Sequence, residues 1–350
     1  MATQTITVTE QTKAVIEPAK VTTPRLWAKL ENGDTDGVPE WMRKLHDNGW
    51  TIINETISKE KALAYADKGH EWLESWNLGY KRDDPSSQKE AKVPWHIRGG
   101  LYARYGVAHE QFVWDLRTEE SLVDKFARIW GTDELLVSYD GVNLSVPDQA
   151  REKSDSVFAP WSHVDQSPLR TNLQCIQGIM NLLPNGPEDG GLMVLENSNK
   201  FYAELWEHFD HKKGPNGWNK WEQQFVDKEM CDWLETKGCK WVKVCAQPGD
   251  LILWDSKRCI HYGATPSSTN DRFAAYVCFK PAAFVSEETK QKRLEVFEKK
   301  QGTAHDPAIL RVTPRLPPED HPSYADAVNR PLQKPVLSKR AKQLAGLVPY

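Results

Sequence analysis

The spacing of apolar and polar positions changes twice along the 350-residue chain. In the first third, apolar residues recur at helical intervals. SKEKALAYADKGHEWLESW places Ser58 as a cap before a run of period near 3.6, and TEESLVDKFARIWG predicts a second helix closed by Gly131. GWTIINE, residues 49–55, is a short apolar strand after a glycine. The stretch WHIRGGLYARYGVAHEQFVWDLR, rich in aromatics and arginines and broken by Gly-Gly, yields no single element. From about residue 135 the texture becomes short β-prone runs: ELLVSYDGVNLSV, LQCIQGIMNLL, GGLMVLEN, KWVKVCAQ, GDLILWD, KRCIHYGA and RFAAYVCFK. Turn signals such as PNGPEDGG, QPGD and PSSTND separate them, which predicts a double-sheet β-fold with its core at about 135–285. Residues 199–237 interrupt this core as a tryptophan-rich, largely helical insertion carrying Trp206, Trp218, Trp221 and Trp233. Tryptophans at helical spacing usually pack such an insertion onto the barrel, and part of it is expected also to cover the mouth of the site as a lid. Residues 284–350 form a C-terminal extension, helical and then proline-rich, while the polar, threonine-rich residues 1–22 are expected to be a disordered arm. The expectation is mainly β with flanking helices, one domain from 23 to 350.

Composition narrows the function classes. Fifteen tryptophans and 10% aromatic content supply a sizeable core, and a formal net charge of −4 with interspersed signs argues against a nucleic-acid binder. No run approaches 18 apolar residues, and the N-terminus lacks the apolar core of a signal peptide, so a cytoplasmic location is expected. Six cysteines, at 175, 231, 239, 245, 259 and 278, show no C-x-x-C pairing. They read as free thiols in a reducing compartment, with no structural zinc signature. The expected partner is a small-molecule substrate, with a homodimer left open, and neither nucleic acid nor membrane.

The candidate chemistry begins at APWSHVDQSP, residues 159–168. Pro160 and Pro168 oppose a helix, so the stretch is extended and His163 and Asp165 project from one face. The spacing alone is not distinctive, since His208-Phe209-Asp210 repeats it on a predicted helix, where positions two apart diverge. A third ligand is needed, and His261, near the end of PGDLILWDSKRCIHYG, is the candidate, although a lone histidine there is more often satisfied within a β core. Two histidines and one carboxylate make the facial triad of non-heme Fe(II) oxygenases, which leaves open positions for a chelating co-substrate and O₂. The expected co-substrate is 2-oxoglutarate. Its distal carboxylate calls for an arginine fork, and Arg272, eleven residues after His261 at the start of FAAYVCF, fits better than Arg258, which strand parity turns to the other face.

With these residues in place, the sequence resembles the phytanoyl-CoA dioxygenase family of Fe(II)/2-oxoglutarate oxygenases. The likeness runs over roughly residues 45–285 and rests on His163 and Asp165, DGGLMVLENS, PGDLILWD, His261 and Arg272, with NGWTIINETISKEKALAYA similar to the family's opening strand and helix. It implies a double-stranded β-helix (a cupin-like jelly roll) with iron at its open end, and places Gln177 and Asn143 near the co-substrate. It implies hydroxylation begun by hydrogen abstraction. The runs GVNLSVP, PWSHVDQSP and CIQGIMNLLPNGPEDGGL look more like fungal members, which often serve secondary metabolism. Desaturation or oxidative cyclisation of a small amino acid, such as aziridine formation, is the alternative outcome. Asp165 occupies the position a halide would need, which disfavours halogenation. A catalytically silent jelly-roll binding protein and a cupin-like isomerase or hydrolase without 2-oxoglutarate are the competing classes. Arg98 and Arg104 are candidates for binding a substrate carboxylate.

Overall fold

Alternation along each strand decides which residues meet. The computed structural model describes residues 23–146, 161–220 and 222–350, so the expected arm at 1–22 and Trp221 of the insertion lie outside the described residues. Thirteen strands carry the architecture: β1 Trp50–Ile53, β2 Leu101–Tyr102, β3 Leu135–Val137, β4 Val142–Ser145, β5 His163–Gln166, β6 Ile176–Asn181, β7 Gly191–Glu196, β8 Glu222–Phe225, β9 Lys240–Lys243, β10 Leu251–Asp255, β11 His261–Ala264, β12 Arg272–Val277 and β13 Phe279–Pro281. They form an antiparallel six-stranded sheet in the order β1-β10-β6-β12-β4-β2 and an antiparallel five-stranded sheet in the order β8-β5-β11-β7-β9, with β13 paired to β3 alone.

In the six-stranded sheet one parity (Val142, Leu144, Ile176, Met180, Leu251, Leu253, Phe273, Ala275, Val277) packs against the helices. The other parity (Ile179, Ile252, Trp254, Ala274) meets Leu192, Val194 and Val244 from the five-stranded sheet. The result is helices on one sheet, that sheet on the second, and the functional residues between the two. The covering helices follow from their apolar stripes. In Lys59–Glu74, capped by Ser58 at Lys61 N, the buried residues Ala62, Ala66, Gly69 and Leu73 recur every three or four positions. Glu120–Trp130 buries Leu122, Val123, Phe126, Ile129 and Trp130 and ends at Gly131 in the left-handed conformation. Gly49 (φ 79°) ends helix Glu40–Asn48, and its carbonyl accepts from Asp255 N at 2.8 Å, tying that helix end to β10.

Two sequence expectations change. The β architecture reaches beyond 135–285, because β1 and β2 are the two edges of the six-stranded sheet. The insertion is not wholly helical. Its β8 pairs with β5 as an edge of the five-stranded sheet, and its helices Tyr202–His208 and Lys228–Thr236 bury Leu205, Trp206, Met230 and Leu234 against Val164, Leu195 and Ile260. Those three are the outward-pointing neighbours of the inward His163, Asp165, Val194 and His261. The insertion therefore covers the outer face of the sheet, and among the described residues none of 199–237 lines the cavity described below, which corrects the lid expectation. The C-terminal extension is pinned by the Lys280–Asp306 pair (3.0 Å), both buried, and by Tyr139 Oη donating to Ala345 O.

Candidate metal centre

The inner surfaces of the two sheets enclose a cavity of about 310 Å³, lined among others by His163, Asp165, His261, Arg272, Gln177 and Asn143. Strand geometry assembles the three ligands. His163 and Asp165 are two apart on β5 and share a face, while His261 opens β11 directly across from His163 in register. His163 Nε2 lies 3.2 Å from Asp165 Oδ1, and His261 Nε2 lies 3.1 Å from Asp165 Oδ2. One ligand atom from each residue can be chosen so that all lie within 4.8 Å of one another, the only such group of His, Cys, Asp or Glu among the described residues.

The two imidazoles are held in one tautomer. His163 Nδ1 donates to Trp161 O (2.9 Å), with the Trp161 ring stacked on it at 4.2 Å, and His261 Nδ1 donates to Cys259 O (3.0 Å). A proton on each Nδ1 leaves each Nε2 with a lone pair aimed at the cavity. Asp165 is oriented by Gln177, whose Nε2 donates to Oδ2 at 2.5 Å and to Ser256 Oγ at 2.8 Å. Burial by itself would raise the Asp165 carboxyl, but the charges of His261 and His163 outweigh it and hold Asp165 well below the usual carboxylate range. Burial likewise works against charge on His261, and Asp165 reverses that, so His261 is raised. The donor set is two neutral-capable nitrogens and one ionised carboxylate, positioned by groups that leave their metal-facing atoms free. It fits a divalent ion of the iron type.

Arg272 opens β12 opposite Ser145 and is buried, yet its Nε has no hydrogen-bond partner and no carboxylate pairs with it among the described residues. A buried guanidinium without an anion is unusual and marks a place for one. The Gly-Gly turn makes that place. Gly191 has φ +126°, and a Cβ there would stand 2.8 Å from Arg272 Nε, so only glycine lets the guanidinium pass. Arg258, the competitor, is spent on Asp255 at 2.6 Å.

Asn143 lines the cavity from β4 and donates through Nδ2 to Gly99 O at 2.7 Å, leaving a buried Oδ1 without a donor. Asp140, which the sequence analysis did not single out within the run ELLVSYDGVNLSV, also lines the cavity. Burial raises its carboxyl, and its one direct hydrogen bond is from Gly141 N to Oδ1 (2.7 Å). Arg104 does not line the cavity. Its guanidinium lies over Trp95 at 4.7 Å and donates to Leu316 O. The side chain of Arg98 lies outside the described residues.

No family model matches the chain. Among curated proteins it is similar to Ava biosynthesis cluster protein O of Aspergillus versicolor, 37% identical over 279 residues that span 77% of this chain and 86% of that protein. Among solved structures it is similar to HygX from Streptomyces hygroscopicus with nickel and 2-oxoglutarate bound (12% identity, 71% of this chain and 89% of that one, TM-score 0.45). It is also similar to EctD from S. alaskensis with 2-oxoglutarate and 5-hydroxyectoine (16%, 77% and 85%, TM-score 0.44). A third is the epimerase SnoN in complex with Fe3+, alpha ketoglutarate and nogalamycin RO (14%, 73% and 84%, TM-score 0.44).

Proposed function

The chain belongs to the family of Ava biosynthesis cluster protein O, and from that premise we propose that it is a non-heme Fe(II)/2-oxoglutarate-dependent dioxygenase of fungal secondary metabolism that hydroxylates a small organic substrate. The observation that carries the reading is the pairing of two features in one cavity. Two imidazoles with capped Nδ1 atoms converge on one carboxylate, and a buried arginine beside them has no anion. A structural histidine cluster would account for the first feature but not the second.

His163, Asp165 and His261 hold the metal. Trp161 O and Cys259 O fix the tautomers, and Gln177 fixes the carboxylate, so Gln177 is a positioning residue rather than a direct partner of the co-substrate. Arg272 takes the distal carboxylate of 2-oxoglutarate as a bidentate pair in the space that Gly191 leaves open. Fe(II) with 2-oxoglutarate and O₂ supplies an oxidation in which 2-oxoglutarate becomes succinate and CO₂ and the substrate gains an oxygen atom or loses two hydrogens. The apolar wall of Leu101, Ile179, Leu192 and Trp254 keeps water from the reacting centre. Desaturation or ring closure would use the same residues, with the outcome set by how the substrate is placed. The two facing sheets form the double-stranded β-helix of the phytanoyl-CoA dioxygenase type in this reading.

The test is release of succinate from 2-oxoglutarate by the full chain in air. Release that needs added Fe(II) and disappears in Asp165→Ala is expected. Bound iron and bound 2-oxoglutarate with no succinate in the presence of a fungal metabolite extract would leave a binding protein in its place.

A further inference from the structure

Apart from the three candidate metal ligands and Arg272, the cavity has polar groups at and just before β4. Asp140, just before β4, presents a half-buried carboxylate whose Oδ2 accepts no hydrogen bond among the described residues, and Asn143 on β4 presents a buried Oδ1 with no donor. The amide orientation of Asn143 is set by its neighbour, because turning it over would place Oδ1 against Gly99 O, acceptor against acceptor. Both free atoms are therefore acceptors. The co-substrate is a dicarboxylate, and neither acceptor suits it. Among the described residues no lysine or arginine forms an ion pair with the Asp140 carboxylate: Arg117 donates to its backbone carbonyl (2.6 Å), and His305 and Arg117 act on the carboxylate by charge without a hydrogen bond to it. The buried Asn143 Oδ1 is costly without a donor, and beside it the Asp140 carboxylate lines the same largely apolar cavity, so a ligand that brings donors and positive charge suits both.

We propose that the substrate carries a protonated amine, and that Asp140 and Asn143 bind it, Asp140 by charge and Asn143 by accepting a second N–H. This deepens the oxygenase reading and rests on it. The ammonium would be held on the β4 wall while the rest of the molecule lies along Leu101 and Ile179 toward the three metal ligands. Asp140 then selects an amine over an alcohol or an acid of the same shape.

The probes are cyclohexylamine, cyclohexanol and cyclohexanecarboxylate, titrated calorimetrically into the full chain loaded anaerobically with Fe(II) and 2-oxoglutarate. Cyclohexylamine is expected to bind at least about tenfold more tightly than the other two, as a charge pair in a dry site implies. In Asp140→Asn, which keeps an acceptor for Gly141 N, the preference should shrink to about twofold or less. Equal affinity of the three probes in the wild type overturns the proposal. So does a preference that persists in Asp140→Asn, since that would be amine nitrogen on the metal. If Asp140→Asn does not fold, the wild-type comparison decides. Repeating the titration on metal-free protein separates the two questions: absent iron and 2-oxoglutarate binding sinks the oxygenase reading, while the ammonium preference there reports on Asp140 alone.

Discussion

Replacing Arg272 by methionine keeps the apolar stem and removes the charge. In the free protein this guanidinium is buried, its Nε is unpaired, and it makes no ion pair among the described residues. Lys243 is pushed down to about 8, chiefly by burial and in part by the Arg272 charge. Nothing stabilising is lost from the free protein, so the melting temperature of Arg272→Met without ligand should stay level or rise. The co-substrate tells the opposite story. A buried carboxylate deprived of its cation loses about 2–5 kcal/mol, which is about 30-fold to several thousandfold in affinity. At a hundredfold excess over its dissociation constant, 2-oxoglutarate stabilises the wild type by about 2.7 kcal/mol, and at the same concentration that gain should fall to about 0.9 kcal/mol or less in the variant. Iron affinity should persist, because His163, Asp165 and His261 are held by Trp161 O, Gln177 and Cys259 O. Thermal melts with and without 2-oxoglutarate, beside calorimetry of both ligands, make the measurement. A fall of several degrees in the ligand-free variant, with 2-oxoglutarate affinity changed by less than about threefold, would show Arg272 to be structural and refute the reasoning.

Three further outcomes follow from the same structure. Gln177→Leu removes the 2.5 Å hydrogen bond to Asp165 and should weaken metal binding by about 10–100-fold, checked by competition with a metallochromic chelator; unchanged affinity would mean the carboxylate needs no support. Trp206, packed between the insertion and the outer face of the five-stranded sheet, should cost about 3–5 kcal/mol on Trp206→Ala while 2-oxoglutarate affinity stays the same, whereas a lid residue would change the affinity. Burial pushes the His109 imidazole down to about 3, whereas an unfolded chain titrates near 6.5 and so takes up the proton first as pH falls. Stability is thus full above about pH 6.5 and declines toward pH 3, by about 2 kcal/mol at pH 5; urea melts at pH 7.5 and 5 should show this loss in the wild type and much less in His109→Gln.

The metal centre was legible because strand periodicity is short and strict. Two prolines predicted an extended stretch, the strand His163–Gln166 puts His163 and Asp165 on one face, and parity assigned Val164 to the other, where it meets the insertion. Arg272 could be singled out because a charge at the start of the buried run FAAYVCF is unusual without an anion to meet it. The insertion was misplaced because helical tryptophan spacing says that a segment is covered but not what it covers. The sign that it lies outside was Val164, Leu195 and Ile260, apolar residues on the face that the metal ligands do not use. Asp140 was missed because the run ELLVSYDGVNLSV was read only as β-prone, and nothing local in it says that a carboxylate just before β4 faces the cavity. Arg104 drew attention by its charge in an aromatic-rich stretch, and its role turned on Leu316, 212 residues away, which no local pattern reveals.

The central claim is that His163, Asp165 and His261 hold one iron that in turn receives 2-oxoglutarate. Its most direct measurement is an anaerobic calorimetric titration of Fe(II) and then 2-oxoglutarate into the wild type and Asp165→Ala. The account predicts one Fe(II) per chain in the wild type, 2-oxoglutarate binding that strengthens sharply once the iron is in place, and loss of both in Asp165→Ala. Fe(II) bound equally well by Asp165→Ala, or 2-oxoglutarate bound as tightly without metal as with it, would contradict the account.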